Sequence, residues 1–407
     1  MKVISFFKPL NVFLFIVTLI QITNLKINFF PRNLVLITFF LGIVFFIVKM
    51  YKDKKVDKSI FWGLILLLIP GIFLLLSILT NQYFDFDFLK EIIIFNFVVF
   101  VSAYGIVSLC KSKEPVNFFT WLIGLSVVFQ LVFSLILFLI PSGFQIAAII
   151  FELTQDADKA IQLNEFRMVG VGAGFFQSGI LNSFALVMIS SLIISPKTNN
   201  KEKNILYLFI ILISVLGLFS SRSTIIGILI SLLLIVFNIY KSRVVIYSSI
   251  LMVLLLLVLM PIINNLFSNS RLFDLFKFGT QFIFDFNNSQ ASQSTGELND
   301  MWEIWPNSLK TWLIGDAKYR DGTLYYMHTD VGYARIVYAI GFFGLISVLI
   351  GQIYLILKLD RTYFNFQAKI CMLVVLLICE IKGVTLFTPF LSILFLASRM
   401  SKKNKLI

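Results

Sequence analysis

The sequence predicts an all-α, polytopic integral membrane protein of about twelve transmembrane helices with two large outer-face loops. Three observations predict it. Of 407 residues, 59% are hydrophobic and only 14% charged, with mean hydropathy +0.94; a soluble surface needs far more charge. Apolar runs of about 16–23 residues recur, and about 20 residues cross a bilayer core as a helix. Lipid cannot satisfy backbone polar groups, and these runs lack the alternation of a barrel strand, so they are helices.

In order, the spans fall near 10–25, 34–50, 60–79, 88–109, 118–140, 175–195, 205–220, 223–240, 244–263, 331–357, 368–381 and 383–398. The chain reads as one transmembrane domain over 1–407. The last two spans read as a hairpin turning near Lys382-Gly383. One long helix over 370–398 would instead put the Lys-rich tail on the opposite side.

Loop charge orients this arrangement. With a cytoplasmic N-terminus, the short inner segments hold 21 of the 34 Lys and Arg residues, including Lys49, Lys52, Lys54, Lys55 and Lys58. Only Asp53, Asp57, Glu114, Glu202 and Asp360 of the acidic residues fall there. Positive residues stay in the cytoplasm, so both termini are expected inside. The net charge of +13 then faces anionic lipid, and no nucleic-acid partner is expected. Cys110, Cys371 and Cys379 lie in or at the ends of apolar runs without CxxC spacing, which indicates neither zinc nor a disulfide framework. The first apolar run has no small-residue cleavage site after it and reads as a retained helix.

The outer loops are expected at 141–174 and 264–330. Within the second, 271–286 reads as a helix on the membrane surface and 287–296 as a polar linker. Residues 298–314 read as an aromatic interfacial helix carrying Trp302, Trp305 and Trp312. No internal repeat is visible, which gives an inverted-repeat transporter no support.

Charges at the membrane boundary are costly and mark sites. Arg167 lies in EFRMVGVGAGFFQSGILNSF, beside Gly170, Gly172 and Gly174. Arg222 lies in FSSRSTIIG, where Ser223 or Thr224 is placed to cap the next helix. His328, the one histidine, lies in YYMHTDVGYARIVYAIGFFGLI with Asp330 and Arg335. A guanidinium near a helix start favours phosphate, and an imidazole accepts a proton near neutral pH. Asp85-Phe86-Asp87 is a two-carboxylate triplet of the kind that holds a divalent ion in metal-dependent glycosyltransferases. The pattern is short, and it reads, with Asp156 and Asp158, as solvated loop; no metal site is expected.

Four segments in order resemble the Wzy-type O-antigen polymerases and the related O-antigen ligases. They are RMVGVGAGFFQSGILNSFALVM, the SRS turn, a large loop ending in a Trp-rich helix and LIGD, and HTDVGYARIVYAIGFFGLI. The likeness covers roughly 165–350. Arg167 and Gly179, like Arg320 and Gly332, are separated by eleven residues, where some members have ten.

The resemblance implies a GT-C-like membrane fold in a bacterial inner membrane. It implies an enzyme of O-antigen, capsule or exopolysaccharide synthesis that joins repeat units carried on undecaprenyl diphosphate, without nucleotide sugar or cofactor. A flippase and a chain-length regulator would be its partners. Arg167, Arg222, Arg335 and Arg320 would hold the diphosphate. His328, oriented by Asp330, would take the proton of the attacking hydroxyl. Two other readings stay open: a ligase that transfers finished glycan to another lipid, and a flippase or permease. A flippase should line a cavity with charges within its spans, and most spans here carry none.

Overall fold

The computed structural model describes residues 8–28, 34–53, 57–140, 142–151, 167–170, 172, 175–238, 271, 273, 275, 277–279, 300–322, 324–385 and 388–403. These residues form an almost entirely helical bundle. In chain order the helices are α1 (Pro9–Thr23), α2 (Leu34–Asp53), α3 (Lys58–Leu68), α4 (Pro70–Asn81), α5 (Phe95–Ser108), α6 (Pro115–Leu139) and α7 (Gly143–Ile150). There follow α8 (Phe175–Ile194), α9 (Asn200–Ser220), α10 (Thr224–Asn238), α11 (Leu309–Ile314), α12 (Gly332–Leu357), α13 (Phe366–Glu380) and α14 (Thr388–Lys403). A two-residue antiparallel ribbon pairs β1 (Arg320–Asp321) with β2 (Leu324–Tyr325).

Among the described residues, six helical runs are long and apolar enough to cross a membrane: Lys58–Asn81, Phe86–Ser108, Pro115–Leu139, Phe176–Ile194, Asn200–Ser220 and Gly332–Leu357. Three shorter apolar helices, Pro9–Thr23, Val35–Tyr51 and Thr224–Asn238, accompany them. Local chemistry sets their ends. Pro stands at the start of α1 and α6, where a missing N–H costs nothing. Asp57, Asn199 and Asn365 cap the first turns of α3, α9 and α13. Pro70 interrupts the hydrogen-bond ladder and divides one run into α3 and α4. The lead into α5 is a short helix at Phe86–Phe88 and a π-helical segment at Leu89–Ile94.

The bundle packs through small residues, as helices in lipid must in the absence of a hydrophobic drive between them. Gly42 of α2 and Gly105 of α5 meet backbone to backbone, a Cβ on Gly42 landing 2.0 Å from the Val101 carbonyl oxygen. Helix α8 lies at the centre, between α6, α9, α10 and α13. Its buried polar side chains bind its neighbours: Ser178 to Ser220 at 3.0 Å, Asn182 to Ser220 and Thr224, and Ser183 to the Ser223 carbonyl. A Cβ on Gly227 would fall 2.2 Å from the Ser183 Cα.

The connections gather at two ends. At one, Ser191 and Ser195 reach the Tyr363 and Thr362 carbonyls, Asn365 reaches Asn238, and the Asp360 amide reaches Ser398. At the other, Asp85 binds the 319–320 backbone, the Met168 amide donates to the Phe219 carbonyl, and Asn81 reaches the Gly315 carbonyl. The first end gathers segments expected to be cytoplasmic, and the second gathers the site segments.

Several expectations change. The 368–381 and 383–398 segments are two helices separated at Glu380, but they do not pair as a hairpin. Helix α13 packs on α8, α10 and α12, whereas α14 packs mainly on α5 and α6. Residues 298–314 are not one helix. A turn at Asp300–Trp302 gives way to non-helical chain up to Ser308, because Pro306 cannot continue a helix; the Trp312 indole then donates back to the Pro306 carbonyl at 2.8 Å. The 141–174 segment contains α7, and the Asn28 side chain and amide hold its far end at the carbonyls of Ala148, Ile149 and Ile150. Of 271–286, residues 271, 273, 275 and 277–279 are helical. The span at 244–263, the linker at 287–296, Asp156 and Asp158 lie outside the described residues.

Candidate functional site

Arg167 and Arg222 come together although 54 positions separate them in the chain. The backbone bond from the Met168 amide to the Phe219 carbonyl, 3.1 Å, ties Arg167 to the end of α9. Arg222 sits in the α9–α10 turn, closed by the Thr224 amide on the Ser221 carbonyl. Thr224 does not turn its hydroxyl to the next helix as a cap; it donates to the Gly217 carbonyl in α9. Both guanidinium groups lie over the Phe278 ring, at 5.5 Å for Arg167 and 4.7 Å for Arg222.

Lys382, which the sequence reading used only to mark a turn, joins them. Its side chain exposes much of its surface but is set among enough protein that burial, then Arg222 and Arg167, hold its ammonium below the usual lysine value. Asp330 acts in the opposite sense. Burial, and after it the Arg222 charge, lowers Arg167 to about 10, and burial lowers Arg222 as well. Arg222 thus adds to the cost of charging Arg167, and both add to that of Lys382, an arrangement that an anion relieves.

Arg335 and Arg320 form a second pair around Tyr325, with centroid distances of 3.2 and 4.9 Å. Arg335 begins α12 only 7% exposed; it donates to the Tyr319 hydroxyl, and its Nε has no hydrogen-bond partner. Burial, only partly offset by the Arg335 charge, keeps the Tyr319 phenol above its ordinary range. Arg320 makes an ion pair with Glu91 at 2.7 Å. Burial pulls the Arg320 guanidinium down, but Glu91 and Tyr325 outweigh it and the net shift is upward. Arg320 therefore has a carboxylate partner already.

Lys382 lies in the turn after α13. A Cβ on Gly332 would meet the Gly383 backbone at 2.6 Å and the Glu380 carbonyl at 2.7 Å, so this turn lies against the first turn of α12. Glu380 ends α13 and is 1% exposed. One carboxylate oxygen accepts from the Thr385 amide at 2.9 Å and from its hydroxyl, and the other has no hydrogen-bond partner.

His328 is exposed, with left-handed backbone at φ 54°. No hydrogen bond joins it to Asp330, which is also exposed, so the expected orientation of the ring by this carboxylate is not formed. The reason is local: Met327 is left-handed too, and this double twist followed by extended chain at Thr329 separates the side chains.

Among the described residues, no group of three or more His, Cys, Asp or Glu side chains is placed to hold a metal. Asp85 is 8% exposed and is a staple for backbone N–H groups. One oxygen accepts from Asp87 at 2.7 Å, the other from Tyr319 at 2.7 Å and Arg320 at 3.1 Å. A solvated loop is right for neither its burial nor its bonding.

The sequence motifs point to the arginines but not to Glu380, Lys382, Glu91 or the Tyr319–Tyr325 pair. A signal existed for the first two: ICEIKGV sets an acid and a base between two apolar runs, where charges are costly. No family model, curated protein or solved structure matches this chain.

Proposed function

We propose that the protein polymerises oligosaccharide repeat units carried on undecaprenyl diphosphate, at the outer face of a bacterial plasma membrane. The carrying observation is the convergence of Arg167 and Arg222 over Phe278 with Lys382 beside them. In this reading the chain crosses the membrane about twelve times in a GT-C-like arrangement, with both termini in the cytoplasm. The end gathering residues 191–195, 238 and 358–365 then faces inward, in keeping with the positive-inside rule.

The chemistry follows from the cations. A hydroxyl of one repeat unit attacks the anomeric carbon of the chain held on the second lipid. The bond from that carbon to the diphosphate breaks, and the diphosphate departs with the electron pair. Guanidinium groups positioned on its oxygens stabilise the charge that develops, more strongly where water is scarce. Phe278 and the apolar helices beside the cations offer the polyprenyl chain a place while its headgroup stays wet. Ligation of finished glycan to another lipid would use the same anion site and differ only in the acceptor. A flippase is less well supported, because the cations cluster at one end of the bundle.

The test is reconstitution in proteoliposomes with a lipid-diphosphate-linked repeat unit. The parent protein should build a ladder of products, and Arg167→Ala or Arg222→Ala should abolish it at unchanged membrane levels. Failure of the parent to extend any such unit, with the lipid instead moved between leaflets, overturns the polymerase reading.

A further inference from the structure

The buried carboxylate of Glu380 faces the same end of the bundle as the cations, and neither the sequence motifs nor the anion site accounts for it. A carboxylate placed only to fasten the 381–385 turn needs acceptors for the Thr385 amide and hydroxyl, and one oxygen provides both. The other oxygen is buried without a partner. Arg335, in the first turn of α12, also has a buried Nε without a partner, yet no ion pair joins it to Glu380 among the described residues. A purely structural pair at this depth should close, since two uncompensated buried charges are expensive. A proton acceptor instead needs a lone pair that no protein donor occupies, and a rigid mount. Thr385 supplies the mount through two bonds to a single oxygen.

We infer that Glu380 is the proton acceptor of the polymerisation step. This rests on the polymerase reading above. As the acceptor hydroxyl oxygen bonds to the anomeric carbon, its proton passes to the free oxygen of Glu380, giving a neutral carboxylic acid. The carbon–diphosphate bond breaks and the electron pair leaves with the diphosphate toward Arg167, Arg222 and Lys382. The acid then returns its proton to water. Among the described residues, the ionisable groups facing Glu380 are Arg335 and Tyr333 from α12, Tyr319 from the preceding loop, and Cys379 beside it in α13; Lys382 follows two residues later.

Glu380→Gln separates the roles. A glutamine carbonyl still accepts from the Thr385 amide and hydroxyl, so a fastening role survives it, whereas proton acceptance does not. In proteoliposomes with the lipid-diphosphate-linked repeat unit, Glu380→Gln should lose roughly a hundredfold to ten-thousandfold in rate, with binding of that repeat unit unchanged. Thr385→Val removes one hydrogen bond to the reacting carboxylate and should move the acid limb of the pH–rate profile. Full polymerisation by Glu380→Gln overturns the inference, and so does loss of repeat-unit binding in parallel with rate. If Glu380→Gln does not accumulate in the membrane, the Thr385→Val profile decides, and an unmoved acid limb overturns the inference. A parent protein that builds no polymer removes the polymerase reading and this step together. A parent that polymerises no faster than Glu380→Gln removes this step alone.

Discussion

Asp85→Asn probes the join between the 319–320 chain and the helical lead into α5. In the parent, one oxygen of Asp85 accepts from both the Tyr319 and Arg320 amides, and the residue is 8% exposed. Asparagine can keep the bond to the Asp87 amide through its carbonyl, but it then turns an NH2 group toward two N–H donors. A hydrogen bond to a charged acceptor contributes about 1.5–3 kcal/mol net. Losing two, with partial relaxation of the loop, should cost about 3 kcal/mol locally. At a decade per 1.4 kcal/mol, the opening equilibrium rises roughly a hundredfold. Hydrogen–deuterium exchange reads this directly: the Tyr319 and Arg320 amides should exchange about a hundredfold faster, while amides in α8 keep their rates. Polymerisation by the parent should meanwhile be indifferent to EDTA. Unchanged exchange in Asp85→Asn refutes the staple. Loss of parental activity in EDTA, restored by a divalent cation, refutes the reasoning that Asp85 is committed to backbone donors.

Other expectations follow from the same geometry. Because burial and Arg222 hold Arg167 down at about 10, the folded protein binds that proton less well than the unfolded chain. This source of instability is present at neutral pH and fades as pH rises through about 10 toward the ordinary arginine value. Arg222→Ala should abolish the stabilisation that the lipid-diphosphate-linked unit gives the parent; stabilisation retained in full contradicts this. Gly341→Ala should destabilise the protein by several kcal/mol, since φ is +72° there and the added Cβ would sit 2.3 Å from the Leu313 carbonyl oxygen; thermal unfolding in detergent measures it. His328→Ala should lower the rate by less than about tenfold, far less than a positioned base contributes, because the ring is exposed and Asp330 does not hold it. A cysteine placed at 49–59 should label from the cytoplasm and one at 300–320 from outside, in a chain whose three native cysteines are replaced; the reverse pattern refutes the orientation.

What could be read before the structure was periodic, compositional or local. The helix at Pro115–Leu139 follows from uninterrupted apolar length, because lipid leaves the backbone no alternative. The break before Thr388 and the choice of Arg167, Arg222 and Arg335 as candidates follow from charges set where charges are expensive. The Pro306 interruption was written in the sequence, but the density of tryptophan around it read as a single helix.

Only the tertiary structure decided how the charges are shared. It set Arg167 and Arg222 over one ring supplied by Phe278, gave Arg320 to Glu91 and Arg335 to Tyr319 and Tyr325, and left His328 apart from Asp330. It turned Asp85 from a residue read as solvated loop into a staple, and it buried Glu380 beside α12. Hydropathy is additive along the chain and is therefore legible in it. Which cation meets which carboxylate depends on contacts between residues tens to hundreds of positions apart, and those are fixed by helix packing at Gly227, Gly332 and Gly341, where the absence of a side chain lets two backbones meet.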